Sequence, residues 1–169
     1  MERWELDEIG KKIEEKVTVL FKTTVLESDA RLKLGTPVDT GRLRAAWQIG
    51  EGVTPRSVPV EAAPGKKHGD IGRVNVITSP STSGMNIVRT GPKGTNYQPT
   101  KEKLTHEYII ANNLEYAEPI CYGTGRPESW VKGGVTGSTQ NPPPWVEGIA
   151  KGMQKFVDYN WNKIVRETN

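Results

Sequence analysis

The stretch 5–34 restricts the fold more than any other part of this chain. Leu6, Ile9, Ile13, Val17, Leu20 and Thr24 recur at steps of three or four, so a helix here lines them up on one stripe. Asp7 with Lys11 and Glu8 with Lys12 add acid-before-base pairs one turn apart, each contributing a few tenths of a kcal/mol. Gly35 follows the last periodic residues and Pro37 lies just beyond, which is how a helix commonly stops. A short second helix is predicted at once. Asp39 or Thr40 can cap it, and Leu43, Ala46 and Trp47 supply its apolar face.

From Ile49 the pattern shortens. Val58 and Val60 flank Pro59, Val74 and Val76 flank Asn75, and Ile87-Val88 is an apolar pair; these predict short strands between Gly, Pro and Ser clusters. Glu107 to Ala111 is the clearest strand, with a helical turn after it around Tyr116 to Tyr122. Residues 61–70, 78–85 and 123–141 read as exposed loops. A last helix follows, capped by Asn141, with the prolines at 142–144 in its first turn and Val146, Ile149, Met153, Phe156, Trp161 and Ile164 on its stripe. The expected fold class is α+β: a small, mostly antiparallel sheet packed with a long N-terminal helix and a C-terminal helix, joined by long Gly/Pro-rich loops. Residues 1–169 form one domain in this reading. It is helical over 5–48, strand-rich over 49–112, a helical turn and loop over 113–141, and helical again over 142–166.

Composition narrows the function. Only 34% of residues are hydrophobic, while 18 Gly and 12 Pro imply a modest core whose loops are ordered partly by neighbouring copies. A formal net charge of +3 is too small for a dedicated nucleic-acid binder. Cys121 is the single cysteine, so no intrachain disulfide forms and a reducing compartment fits. No apolar run approaches the roughly 20 residues that cross a bilayer, and the charged start does not read as a signal peptide. The expectation is a soluble protein, intracellular when made. Cys121 is expected as a small buried hydrophobe. Of the tryptophans, Trp47, Trp145 and Trp161 fall on helical stripes and are expected in the core; Trp4 and Trp130 lie where a partner contact is more natural.

Signs of catalysis are few. His68 and His106 lack metal-ligand spacing. The run Gly91-Pro-Lys-Gly-Thr-Asn96 lacks the ending of a phosphate loop, and Pro127 breaks the dinucleotide pattern after Gly123-Thr-Gly-Arg126. No enzyme, cofactor or metal site is expected.

The most informative segment is Gly35-Thr-Pro-Val-Asp-Thr-Gly-Arg-Leu-Arg-Ala-Ala-Trp-Gln48. Read from the residues alone, it is a helix-turn-helix corner: Pro37 stiffens the break, Asp39 and Thr40 offer oxygens to orphan N–H groups, Gly41 permits close packing, and Arg42 and Arg44 project into solvent. It also resembles the N-terminal signature of the neck and tail-completion family of long-tailed bacteriophages, proteins often labelled tail components. That family's second signature is matched by Ile110-Ala-Asn112-Asn113-Leu-Glu-Tyr116-Ala117 and Ile120-Cys-Tyr122-Gly123. Gln140-Asn-Pro-Pro143-Pro-Trp145-Val146 loosely matches a third element. Order and spacing agree, apart from an insertion across 124–139. Glu115 replaces a usual proline and Cys121 a usual acid, so any ring contact made by that acid in relatives must be made differently here.

The resemblance implies a structural virion protein of the head–tail connector, a neck or tail-completion ring that joins head to tail and lets DNA pass. A tail-terminator or head-closure ring of the same junction is the alternative, with a DNA-binding module or an enzyme more remote. Implied partners are copies of itself, head-side connector or head-closure proteins, and tail-terminator or tail-tube proteins. Six copies would suit a six-fold tail and twelve a portal. Localisation would be the virion neck, after assembly in host cytoplasm. Loops 61–70 and 124–141 are expected to touch adjacent subunits or the next ring, and Lys66, Lys67, Arg89, Lys93, Lys101 and Lys103 are candidates for lumenal contact with DNA.

Overall fold

In the computed structural model, residues 3–37, 42–58, 75–78, 86–89, 97–98, 101–126, 128–134 and 141–168 are described. Helix α1 spans Arg3–Gly35, α2 Arg42–Ala45, α3 Ala117–Tyr122, α4 Glu128–Lys132 and α5 Trp145–Thr168. Strand β1 (Trp47–Glu51) pairs antiparallel with β4 (Tyr108–Asn112), and β2 (Asn75–Thr78) pairs antiparallel with β3 (Asn86–Arg89). The described chain is therefore helix-rich α+β, with its strands in two separate two-stranded sheets.

Helices α1 and α5 run antiparallel. Lys16 near the middle of α1 meets Glu167 near the end of α5, and the close of α1 at Gly35 meets Trp145 and Ile149 at the start of α5. A Cβ at residue 35 would approach Ile149 Cδ1 to 2.9 Å, so any larger residue would have to displace the tip of that side chain at this close crossing. The buried stretch of α1 begins around Thr23. Val25, Leu26 and Ala30 pack with Ile49 and Tyr97, and Leu32 packs with Trp47, Cys121 and Trp145. A third cluster joins Leu43, Ala45 and Ala46 to Leu114 and Ala117. Asp29 and Lys33 form an ion pair at 2.7 Å with each side chain only 2% exposed. Such a pair must be satisfied on both sides, because either charge left alone in the interior is costly.

Several expectations are corrected. Leu6, Ile9 and Ile13 are exposed, so the leading part of the predicted stripe lies off the core. Trp47 and Gln48 belong to β1 and not to the second helix: α2 is one turn long, and the register Trp47↔Asn112 claims both residues for the sheet. Tryptophan suits a half-buried pleated surface, and tertiary pairing overrides the weak helical pattern there. Val58 lies outside any strand. Trp130 is on α4, inside the stretch read as loop. Helix α5 starts at Trp145, after all three prolines, because a residue preceding proline is pushed toward extended backbone. Trp161 is 45% exposed; the face of α5 turned to α1 carries Ile149 and Phe156. Val60, Val74 and loop 61–70 lie outside the described residues.

Candidate functional site

The three separated sequence blocks meet where α1 ends. Leu32 leaves an orphan carbonyl in the last turn, and Thr36 Oγ1 donates to it at 2.5 Å. The same hydroxyl accepts from Trp47 Nε1 at 2.8 Å. Thr36 and Trp47 are both buried, so this one oxygen satisfies an indole that otherwise has no water to turn to. Arg44 Nη2 donates to Thr36 O at 3.2 Å, a cation at a helix C-terminus, where the macrodipole favours positive charge. Burial lowers Arg44 from the usual arginine value, and its Nε is buried without a hydrogen-bond partner among the described residues.

The second block arrives along β4. Asn112 Nδ2 donates to Leu43 O at 2.8 Å, while its Oδ1 accepts from the Leu114 N–H at 3.3 Å. One side chain thus ties the end of β4 to α2 and also shapes the turn into α3. Asn113 Nδ2 donates to Pro55 O and Ser57 O, and Gln48 Nε2 also donates to Ser57 O, pinning residues 55–57 against the sheet edge. The Arg42 guanidinium lies 5.8 Å from the Tyr116 ring centroid, within cation–π range. Ala117 is buried between α2 and α3, where a larger side chain would separate them. Helix α3 ends at Gly123 with φ 78°, and the Gly123 N–H donates to Pro119 O. A Cβ at residue 123 would lie 3.3 Å from Pro143 Cγ, so the left-handed turn and the close proline both favour glycine.

The third block closes the corner. Asn141 does not cap α5; its Nδ2 donates to Gly35 O at 2.6 Å and satisfies a carbonyl at the end of α1. Trp145 Nε1 donates to Ile120 O at 3.1 Å, and its ring meets Trp47 edge-on with centroids 6.4 Å apart. Cys121 is buried beneath these two rings, and burial pushes its thiol up to about 12. Tyr122, by contrast, is 47% exposed at the rim, with its hydroxyl raised chiefly by burial of its surroundings.

Asp39, Thr40, Gly41, Lys66, Lys67 and Lys93 lie outside the described residues, as do the side chains of Trp4 and Arg89. Pro37 and Trp130 are half-buried, and Lys101 and Lys103 are exposed. The corner therefore gathers Arg42, Arg44, Trp47, Asn112, Asn113, Tyr116, Ala117, Gly123, Pro143 and Trp145.

Sequence reasoning missed a second polar cluster. Glu51, at the end of β1, accepts from Tyr108 OH at 3.1 Å and contacts His106 Nδ1 at 2.5 Å. The His106 hydrogen bond, with lesser help from Tyr108, holds the Glu51 carboxyl below its usual range although burial works the other way. Nearby, Tyr97 OH bonds the buried Glu102 carboxylate. Positions 51 and 106 meet only through the β1–β4 register, so no local pattern could have revealed them.

Among the described residues no group of three or more His, Cys, Asp or Glu could hold a metal ion. No described helix is long and apolar enough to cross a membrane. No family model, curated protein or solved structure matches the chain.

Proposed function

We propose that the chain is a ring-forming structural subunit of the head–tail junction of a long-tailed bacteriophage, in a neck or tail-completion role. The observation that carries this reading is the convergence of the three resemblance-bearing blocks on one corner. Residues as far apart as Asn112 and Leu43, or Asn141 and Gly35, are joined there by direct hydrogen bonds. The described motif residues knit helix ends and strand ends into one corner. Their product is shape.

A closed ring needs two different complementary patches on each subunit, because its interface is head-to-tail. Exposed apolar side chains are present on α1, with Leu6, Ile9 and Ile13, and on α4 with Val131. Partners in this reading are copies of the chain, a head-side connector and a tail-side ring or tube protein, with DNA passing through the opening.

Electron microscopy of the purified protein is expected to show rings with a central opening. Virions made without it should give DNA-filled heads and separate tails. Normal infectious particles in its absence would end the proposal.

A further inference from the structure

Three features of α1 and α5 stand out among the described residues. On the α1 side of the Lys16–Glu167 pair, Leu6, Ile9 and Ile13 stay 54%, 36% and 36% exposed. Beside them a Cβ on Gly10 would have nothing within 4 Å, so the helix presents bare backbone there. At the pair, α1 and α5 enclose an open groove of about 370 Å³, lined by Lys16 and Glu167 themselves and with Val19, Leu20, Phe156 and Ile164 as its apolar walls.

We propose that the leading turns of α1 from one copy seat in the α1–α5 groove of a second copy, running parallel to that copy's α5. This rests on the ring reading and supplies its interface. Leu6, Ile9 and Ile13 exchange water for the apolar walls, and Gly10 allows the backbone a close approach.

Charge decides the direction. Glu8 and Lys12 lie one turn apart on one side of α1, and Lys163 and Glu167 lie one turn apart at the mouth of the groove, 3.9 Å from each other. Run parallel to α5, Glu8 comes abreast of Lys163 as Lys12 comes abreast of Glu167. Run the other way, Glu8 would face Glu167 and Lys12 would face Lys163. Like charges brought together select against that orientation. The contact joins two different patches of one chain, and such a head-to-tail contact closes into a ring where the rotation between copies allows.

Sedimentation of the full chain tests this. The unsubstituted protein should assemble, and Ile9→Asp with Ile13→Asp should leave the 18.7 kDa single chain. Glu8→Lys with Lys12→Glu should weaken self-association by about tenfold. Adding Lys163→Glu and Glu167→Lys to that variant, with Lys16→Glu to keep the α1–α5 ion pair, should restore it. Each set of changes keeps unlike pairs within each helix and between α1 and α5, so circular dichroism should stay unchanged. Rings indifferent to the isoleucine changes, or reversals that fail to rescue, would overturn this seating while leaving the ring reading intact. A chain that stays single at every concentration would overturn both.

Discussion

Thr36 shows how much one side chain can settle. Its hydroxyl serves the Leu32 carbonyl and the Trp47 indole together, in a place buried from solvent. Thr36→Val keeps the shape and removes the oxygen, leaving the indole N–H unsatisfied. The expected cost is about 1–3 kcal/mol in a urea titration. A loss under roughly 0.5 kcal/mol would mean that water replaces the hydroxyl and that the corner is looser than described. Glu51 makes a different prediction. Its carboxyl is held below the usual 4.5, first by the His106 hydrogen bond, so its stabilising contribution is present above that ordinary value and fades as pH falls through the lowered one. An NMR titration of the Glu51 carboxyl should therefore show a midpoint that rises in His106→Ala. An unmoved midpoint would deny the contact any weight.

At the scale of elements, glycines mark where backbones meet. A Cβ on Gly50 would collide with the backbone carbonyl of Val53 just after β1. Gly50→Ala should therefore cost on the order of 2 kcal/mol in thermal unfolding, since backbone cannot move aside as a flexible side chain can. Gly10→Ala should do the opposite in the dissociated chain. It meets nothing, and alanine favours a helix by up to about 1 kcal/mol. If Gly10→Ala destabilised the dissociated chain, helix propensity would not govern that stretch. Element type was readable for α1, β4 and α3 because each carries a strong period or a clear punctuation: the stripe from Leu6 onward, the apolar Tyr108-Ile-Ile110, and Gly123 as a stop. It was not readable at Trp47 and Gln48. Two residues cannot display a period, and only pairing with Asn112 and Ala111 decides their conformation.

Across the whole molecule, order is unevenly shared. The end of α1 from Val25 to Thr36 is surrounded by β1, α3 and α5, whereas its start is exposed. Hydrogen exchange of the dissociated chain should reflect this, with amides near Ala30 protected far longer than those near Ile9. Equal protection along α1 would contradict the described packing. The candidate site was legible as three sequence blocks but not as one place. Asn112, Asn113 and Asn141 look alike in a sequence, as polar residues at a strand end or before a helix. That Asn141 closes α1, and does not cap α5, depends on the antiparallel crossing that brings Gly35 beside it.

Local patterning alone determined a helix over 5–34 that breaks after Gly35, a strand running up to Asn112 and a last helix that begins near the prolines at 142–144. Each of those follows from forces acting over a few neighbouring residues. Tertiary structure decided which face of α1 is buried, where α5 starts, that Asp29 and Lys33 form their ion pair in the interior, and that Glu51 meets His106. The physical reason is common to all four. Burial and hydrogen bonding depend on what a residue meets across the fold, and that meeting is set by helix crossing and strand register.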